Sequence, residues 1–222
     1  MLKQIGSVFS FLTIFPTNNA NLETIAKHMY LFPIAGIAIG LLVGALGYGF
    51  SLFLDPLITS LLVVASLAII TGIHHNDGLA DFADGLMTRG TKERKLKAMK
   101  DLTTGSAGIV SIVLYIAGAI IAISLTSGYE LFKIILLSEI LAKFSMVLMA
   151  SLGNSAAVGS NSPFMQFMND KKRLAVAFAI TILPFLIIGE TSGLIVFAVG
   201  IVITSSWLVF LQEVLEELLV MY

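Results

Sequence analysis

Long apolar runs separated by short polar breaks make up most of this chain. Pro33–Leu54 carries no charge, and Asp55-Pro56 breaks the pattern. Leu57–Ile73, Ile109–Thr126, Leu131–Leu152, Leu174–Ile188 and Gly193–Phe210 repeat the pattern. A helix needs about 20 apolar residues to cross the hydrocarbon core of a bilayer. The pattern therefore predicts an all-α, polytopic integral membrane protein with about six transmembrane helices, those at 57–73 and 174–188 being the short ones. Residues 5–15 are apolar and Phe-rich but too few to span, and predict an N-terminal interfacial or re-entrant helix. Asn21 before Leu22-Glu23-Thr24 predicts the cap of a short helix. Gly36, Gly40, Gly44 and Gly47, at spacings of four, four and three, form a small-residue stripe that admits another helix closely. The tail LQEVLEELLVMY reads as a separate short amphipathic helix, and Ser127-Gly128-Tyr129-Glu130 as a turn.

Six spans, taken as one membrane domain over 1–222, put the N-terminus, residues 74–108, residues 153–173 and the C-terminus on one side. That side holds eleven of the thirteen Lys and Arg residues, a bias expected of the cytoplasmic face. The expected location is thus the cell membrane, multi-pass, with both termini and both large loops cytoplasmic. Composition agrees: 57% of residues are hydrophobic and only 12% charged, against about a quarter charged in soluble domains. Mean hydropathy is +0.97. A net charge of −1 offers no argument for nucleic acid as a partner, and the absence of cysteine excludes disulfides and thiolate metal sites. No small-residue cleavage site precedes Pro16, so a cleaved signal peptide is not expected.

One stretch breaks the apolar pattern. Residues 74–108, HHNDGLADFADGLMTRGTKERKLKAMKDLTTGSAG, hold five acids and six bases in 35 positions. Asp77, Asp81 and Asp84 are spaced four and three apart, so on a helix they fall within an arc of roughly 60°. Like charges so placed repel, and the face calls for a neutraliser. Oxygen ligands without cysteine suit a hard cation, Mg²⁺ or Mn²⁺, which binds through a few carboxylates and takes up substrate phosphates. The plain alternative is a solvated acidic face paired with nearby bases. Gly78 and Gly85 flank the three carboxylates and suggest close approach by a ligand or another backbone. Asn76 reads as the N-cap of this helix.

Among the bases, Arg94 and Lys100 are candidates for phosphate contact, whereas Lys92 and Lys95 read better as anchors on anionic lipid. Asp101 is a candidate fourth carboxylate. The TTGSAG run, with Ser106, offers hydroxyls and backbone that can cradle a phosphate. His74 and His75 adjoin the acids, as base, as ligand or as neither. Glu139 and Lys143 lie inside the fourth span, four apart in the order that favours pairing, and Lys133 near its other end can snorkel.

His75-x-Asp77-Gly78-Leu79-Ala80-Asp81-x-x-Asp84-Gly85, followed by Met99-Lys100-Asp101 and Gly105-Ser106-x-Gly108, resembles the signature of the cobalamin synthase family, the adenosylcobinamide-GDP ribazoletransferases. Phe11-Leu12-Thr13-x-x-Pro16 and Phe32-Pro33-x-x-Gly36-x-x-x-Gly40 agree with it, so the likeness covers about the first 110 residues well. The resemblance implies an integral membrane, Mg²⁺-dependent transferase. Such an enzyme joins the corrinoid adenosylcobinamide-GDP to α-ribazole or its 5′-phosphate and releases GMP. It further implies metal ligands at Asp77, Asp81, Asp84 and Asp101, and catalytic roles for His75, Asp81 and Asp101. The chain departs from the family pattern where Asp-Ser-Arg is common, having Asp101-Leu102-Thr103. It also lacks the Gly-Gly-x-Thr-Gly-Asp run before the last helix.

Three other readings are weighed at this level. Phospholipid-forming alcohol phosphotransferases share an Asp-Gly start, but with an Ala-Arg pair and a longer gap that this chain lacks. Intramembrane prenyltransferases also place Mg²⁺-binding aspartates at a membrane edge, with different spacings and a second Asp-rich motif for which 153–173 offers only Asp170. A divalent-cation transporter wants carboxylates near the bilayer centre, where only Glu139 qualifies. The partners expected are small corrinoid and ribazole substrates and the lipid bilayer, and a homo-oligomer is allowed.

Overall fold

Residues 2–16, 21–153 and 162–220 are described by the computed structural model, and every regular element among them is helical. In chain order these are α1 (Leu2–Leu12), α2 (Leu22–Lys27), α3 (Phe32–Ser51, entered through a 3-10 turn at Met29–Leu31), α4 (Pro56–Ile70), α5 (His74–Met87), α6 (Lys92–Ala98), α7 (Ser106–Ser124), α8 (Gly128–Leu152), α9 (Ser162–Met168), α10 (Lys171–Ile188) and α11 (Glu190–Val220). The six apolar runs are all helices, in the expected order. Met29–Ser51, Ser106–Ser124, Gly128–Leu152 and Glu190–Glu213 are each long and apolar enough to cross a membrane. The bent pair α4 and α5 makes a fifth candidate if counted as one span. By itself α4 has only 15 residues, and the 18 of α10 begin with three charges, Lys171-Lys172-Arg173.

The centre of the bundle is the α3–α8 pair, and the glycine stripe makes it. A Cβ on Gly36 would stand 2.7 Å from the Glu139 carbonyl oxygen, and one on Gly40 would stand 2.8 Å from the Leu136 Cα. Gly44 meets the Phe132 ring, and Gly47 turns to Val63 of α4. Between lipid-embedded helices the gain comes from close packing rather than from expelling water, so small residues decide where backbones meet. Beyond this pair, α4 and α7 lie to one side of α3, and α10 and α11 against α8. Phe144, Phe185 and Phe197 stack between the latter three, with Phe185 and Phe197 ring centroids 5.1 Å apart.

At the N-terminus, α1 does not cross. It folds back so that Val8 and Leu12 are buried and Phe11 lies 6.0 Å from Phe32. The Ile14 amide then donates to the Ile70 carbonyl at 2.9 Å, tying the segment after α1 to the end of α4. Asn21 caps α2 as its position predicts, accepting from the Thr24 amide at 2.9 Å. Asp55 does the same for α4, where Pro56 takes the first helical position and needs no amide partner.

Several boundaries differ from the pattern. Gly128, at φ +57°, lets α8 begin at once, so Tyr129 and Glu130 form its first turn and not a loop. Glu130 there pairs with Lys133 at 2.9 Å, and Lys133 is buried instead of reaching outward. Nothing between Phe210 and Leu211 breaks a helix, and α11 runs on through the tail without the expected separation. The loop 153–173 contains α9; its residues 154–161 lie outside those described. Asn76 is not a cap. Gly72 and Ile73 both adopt positive φ, 68° and 64°, and start α5 at His74, three residues before the start that an Asn76 cap would give.

Candidate active site at the junction of α5, α6 and α7

The two left-handed residues that end α4 also turn the chain by 91° into α5. Asp77, Asp81 and Asp84 thus ride on a helix set across the end of a candidate span, one and two turns apart along a single face. Packing on two sides anchors α5: Ala80 is buried toward Gly108 of α7, on the side of Asp84, and on the far side the Phe82 ring meets Trp207 of α11 edge-on at 6.0 Å. Gly85 admits α6, because a Cβ there would strike the Met99 side chain and lie 3.1 Å from the Lys95 carbonyl oxygen. Lys95 turns inward and donates to the Leu86 carbonyl at 3.0 Å. A cation on the last carbonyls of a helix is favoured by the helix dipole, so Lys95 closes the α5–α6 hairpin instead of facing lipid.

Asp84 reaches furthest from its own helix. Its Oδ2 accepts from the Gly105 amide at 2.6 Å and its Oδ1 from the Gly108 amide at 2.9 Å. Gly105 is the N-cap residue of α7 and has no side chain to cap with. Asp84 supplies that function from another helix, a role that contributes about 0.5–2 kcal/mol when a local side chain performs it. Across the same loop Asp101 Oδ1 accepts from the Thr103 amide at 3.0 Å and the Thr103 hydroxyl at 2.8 Å. The Thr103 hydroxyl, then its amide, and more weakly Lys97, hold the Asp101 carboxyl below the usual carboxylate range.

Between these two carboxylates lies a cavity of about 290 Å³, lined by Asp84, Met87, Thr88, Ala98, Asp101, Thr103, Gly105, Ser106 and Ala107. Small-molecule sites usually run from about 300 to 1,000 Å³, so this one has room for the phosphate part of a nucleotide and not for a macrocycle. Of the residues singled out in the sequence, it brings together Asp84, Asp101 and Ser106. Asp77 and Asp81 stand further back on the α5 face, and His75 is exposed in the first turn. Arg94 is exposed, lying over Gly90, whose φ is +116°, and Lys100 is exposed after α6; neither lines the cavity.

In part, this donor set suits a divalent ion. The oxygens are of the right kind, and a cavity with two carboxylates and no basic wall would repel a phosphate unless a cation came with it. The side chains of Asp77 and Asp81, successive along one face, make no hydrogen bond or ion pair among the described residues. They match the habit of Mg²⁺ of binding one or two carboxylates and completing its shell with water and substrate phosphate. Among the described residues, however, no three His, Cys, Asp or Glu side chains converge on one point. The four-carboxylate cluster expected from the sequence is therefore not gathered, chiefly because Asp84 points to α7. Glu139, inside the fourth apolar run, is paired with Lys143 at 3.5 Å.

The profile of one protein family, cobalamin-5-phosphate synthase, matches residues 4–217. The chain belongs to that family. Its relatives include proteins named adenosylcobinamide-GDP ribazoletransferase. The one from Pyrococcus abyssi is 31% identical over 81% of this chain and 73% of its own length. That from Archaeoglobus fulgidus is 34% identical over 83% and 75%, and that from Methanococcoides burtonii 30% over 90% and 78%. No solved structure matches.

In this cobalamin-5-phosphate synthase family member, residues of the 74–108 stretch line the cavity, but several of the residues that shape it were not legible as such. Thr88 and Thr103 line it, and Gly105 and Gly108 hold Asp84. The signal for the glycines was present in their spacing of three, which matches the N-cap and third amides of a helix. Their partner, more than twenty residues earlier, was not.

Proposed function

We propose that this protein joins adenosylcobinamide-GDP to α-ribazole, or to its 5′-phosphate, and releases GMP. A ribose hydroxyl of the ribazole attacks the phosphorus on the cobinamide side of the pyrophosphate. A new P–O bond forms there, the bond to the bridging oxygen breaks, and GMP leaves with that electron pair. The hydroxyl proton passes to a base, for which His75, Asp81 and Asp101 are the candidates. The observation that carries this reading is the phosphate-sized cavity between Asp84 and Asp101, in a chain whose relatives bear that enzyme's name.

Mg²⁺, or Mn²⁺, is proposed as the ion, with Asp77 and Asp81 as its first ligands and Asp101 across the cavity. When bound, it would offset charge on the pyrophosphate and the departing GMP. The chain's own groups then orient the substrate: Ser106 and Thr103 by hydroxyl contact, Arg94 and Lys100 by turning toward the outer phosphate. We place this face in the cytoplasm of a cell-membrane protein, on the Lys and Arg bias. The flanks of α7 and α11, which the rest of the chain leaves almost bare, offer surface for lipid tails and for a homo-oligomer.

The test is product formation. Purified protein with Mg²⁺, adenosylcobinamide-GDP and α-ribazole yields the joined corrinoid and GMP in equal amounts. Asp81→Asn lowers turnover by about 10²-fold or more, the scale of a lost acid–base or charge-stabilising group, with expression intact. Consumption of an isoprenoid diphosphate with an aromatic acceptor, and no GMP, would replace this reading with prenyl transfer. Uptake of divalent ions into sealed vesicles would replace it with transport.

A further inference from the structure

We propose that Asp84 is a positioning residue: its carboxylate clamps the N-terminus of α7 and so sets the cavity wall at Thr103, Gly105 and Ser106. The inference rests on reading that cavity as the site of the nucleotide phosphates. It divides the three aspartates of one face between two tasks, with Asp77 and Asp81 left for the ion and Asp84 acting through the backbone.

Both oxygens of Asp84 are engaged, at 2.6 Å and 2.9 Å, on amides three residues apart. These are amides that a helix N-terminus leaves without an internal partner. The fit leaves no room for a side chain on either donor. A Cβ on Gly105 would lie 2.5 Å from Asp84 Oδ1, and one on Gly108 would lie 2.6 Å from Oδ2. Glycine at both positions is thus explained by the clamp, and a metal-ligand role for Asp84 would leave it unexplained. At the acceptor end of the clamp, the Thr88 hydroxyl donates to the Asp84 backbone carbonyl at 2.7 Å, and Thr88 itself lines the cavity.

Ser106 directly follows Gly105, and Thr103, held by Asp101, lies two residues before it. Releasing the Gly105 amide therefore moves the hydroxyls that would meet a phosphate while leaving Asp77 and Asp81 untouched. The clamp also consumes the amides that would otherwise bind an anion, so substrate oxygens must be met by hydroxyls and by the ion.

The experiment compares Asp84→Asn, Gly105→Ala and Gly108→Ala with Asp81→Asn in the full-length purified protein. Neither glycine has a side chain to ligate a metal, yet each substitution breaks the contact from its far side. Asp84→Asn and both glycine variants are expected to raise the KM for adenosylcobinamide-GDP by about tenfold or more. Their kcat should stay within about threefold and their Mg²⁺ concentration for half-maximal rate unchanged, because only substrate positioning is lost. Asp81→Asn shifts that Mg²⁺ midpoint or removes activity. A shifted Mg²⁺ midpoint in Asp84→Asn, with the glycine variants behaving as wild type, would overturn the proposal. Amide hydrogen exchange supplies a readout independent of turnover and of how well the glycine variants fold. Protection of Gly105 and Gly108 in wild type should persist when Mg²⁺ is added and fall in Asp84→Asn. Loss of that protection on adding Mg²⁺ to wild type would mean Asp84 has left the amides for the ion, and the clamp fails. Should wild type transfer nothing from this substrate, the proposed reaction falls, and the exchange result still decides the clamp.

Discussion

Lys143 and Glu139 face each other one turn apart inside α8, ammonium to carboxylate at 3.5 Å, with 6% and 14% of their side chains exposed. Glu139 Oε2 has no hydrogen-bond partner among the described residues, so this ion pair is its main compensation. Charges in a span are costly, and removing one member of a buried pair typically costs about 3–5 kcal/mol because the other is stranded. Lys143→Met should therefore lower the Tm of the purified protein markedly. Lys143→Met combined with Glu139→Gln should regain most of the loss. A double variant no more stable than the single would show that the two charges do not depend on each other.

Closer packing holds α3 on α8, and it fails if a side chain intrudes. Gly36→Leu or Gly40→Leu places carbon against backbone that cannot turn aside, the Glu139 carbonyl at 2.7 Å and the Leu136 Cα at 2.8 Å from the first added atom. Overpacking of this kind costs about 1–3 kcal/mol or more. Gly118 of α7 has nothing within 4 Å of such an atom, and Gly118→Ala should hold or raise stability by about 0.5–1 kcal/mol. Thermal unfolding in one detergent separates the two groups. Equal Tm values for Gly36→Leu and wild type would refute the contact.

Much of this architecture was written in period and spacing. The glycines at 36, 40, 44 and 47 predicted a close helix neighbour without naming it, and α8 answers for three of them. Asn21 predicted its cap because a cap is a local matter of two or three residues. Local rules failed where the partner is remote. Asp84 had the periodicity of a ligand, yet its oxygens go to Gly105 and Gly108 across the intervening α6. Asn76 had the chemistry of a cap, but the left-handed Ile73 starts the helix first, a conformation a β-branched residue rarely signals. Lys95 had the look of a lipid anchor until tertiary packing offered it the Leu86 carbonyl.

The Asp101–Thr103 turn makes the loop sensitive to acid. Thr103 holds the Asp101 carboxyl below its ordinary pKa, through its hydroxyl first and its amide second. A carboxyl depressed in the folded chain stabilises it fully above the unfolded value, and the contribution is lost as pH falls through the lowered folded value. In chelator-treated protein, the order of the 101–105 loop should thus persist to lower pH than an ordinary carboxylate would allow. Thr103→Val removes the hydroxyl, and the acid midpoint should move upward. Carboxyl chemical shifts followed by NMR through the titration check the direction, and an unmoved or lowered midpoint contradicts it.

Gly78 and Gly85 share one flank of the α5 face, and the structure treats them differently. Met99 and the Lys95 carbonyl fill the space beside Gly85, whereas a Cβ on Gly78 would meet nothing within 4 Å. Intramolecular packing therefore explains Gly85 and leaves Gly78 without a structural reason, although a helix-interior glycine costs about 0.5–1 kcal/mol against alanine. The open flank lies beside Asp77 and Asp81, where a ligand drawn to those carboxylates would arrive. If that is its use, Gly78→Ala should raise the Tm slightly while weakening substrate binding. Gly78→Leu should leave the fold intact and raise the KM for adenosylcobinamide-GDP further, by about tenfold if the added branch displaces a contact of roughly 1.4 kcal/mol. Unchanged kinetics in the Leu variant would mean that nothing approaches this flank during the reaction.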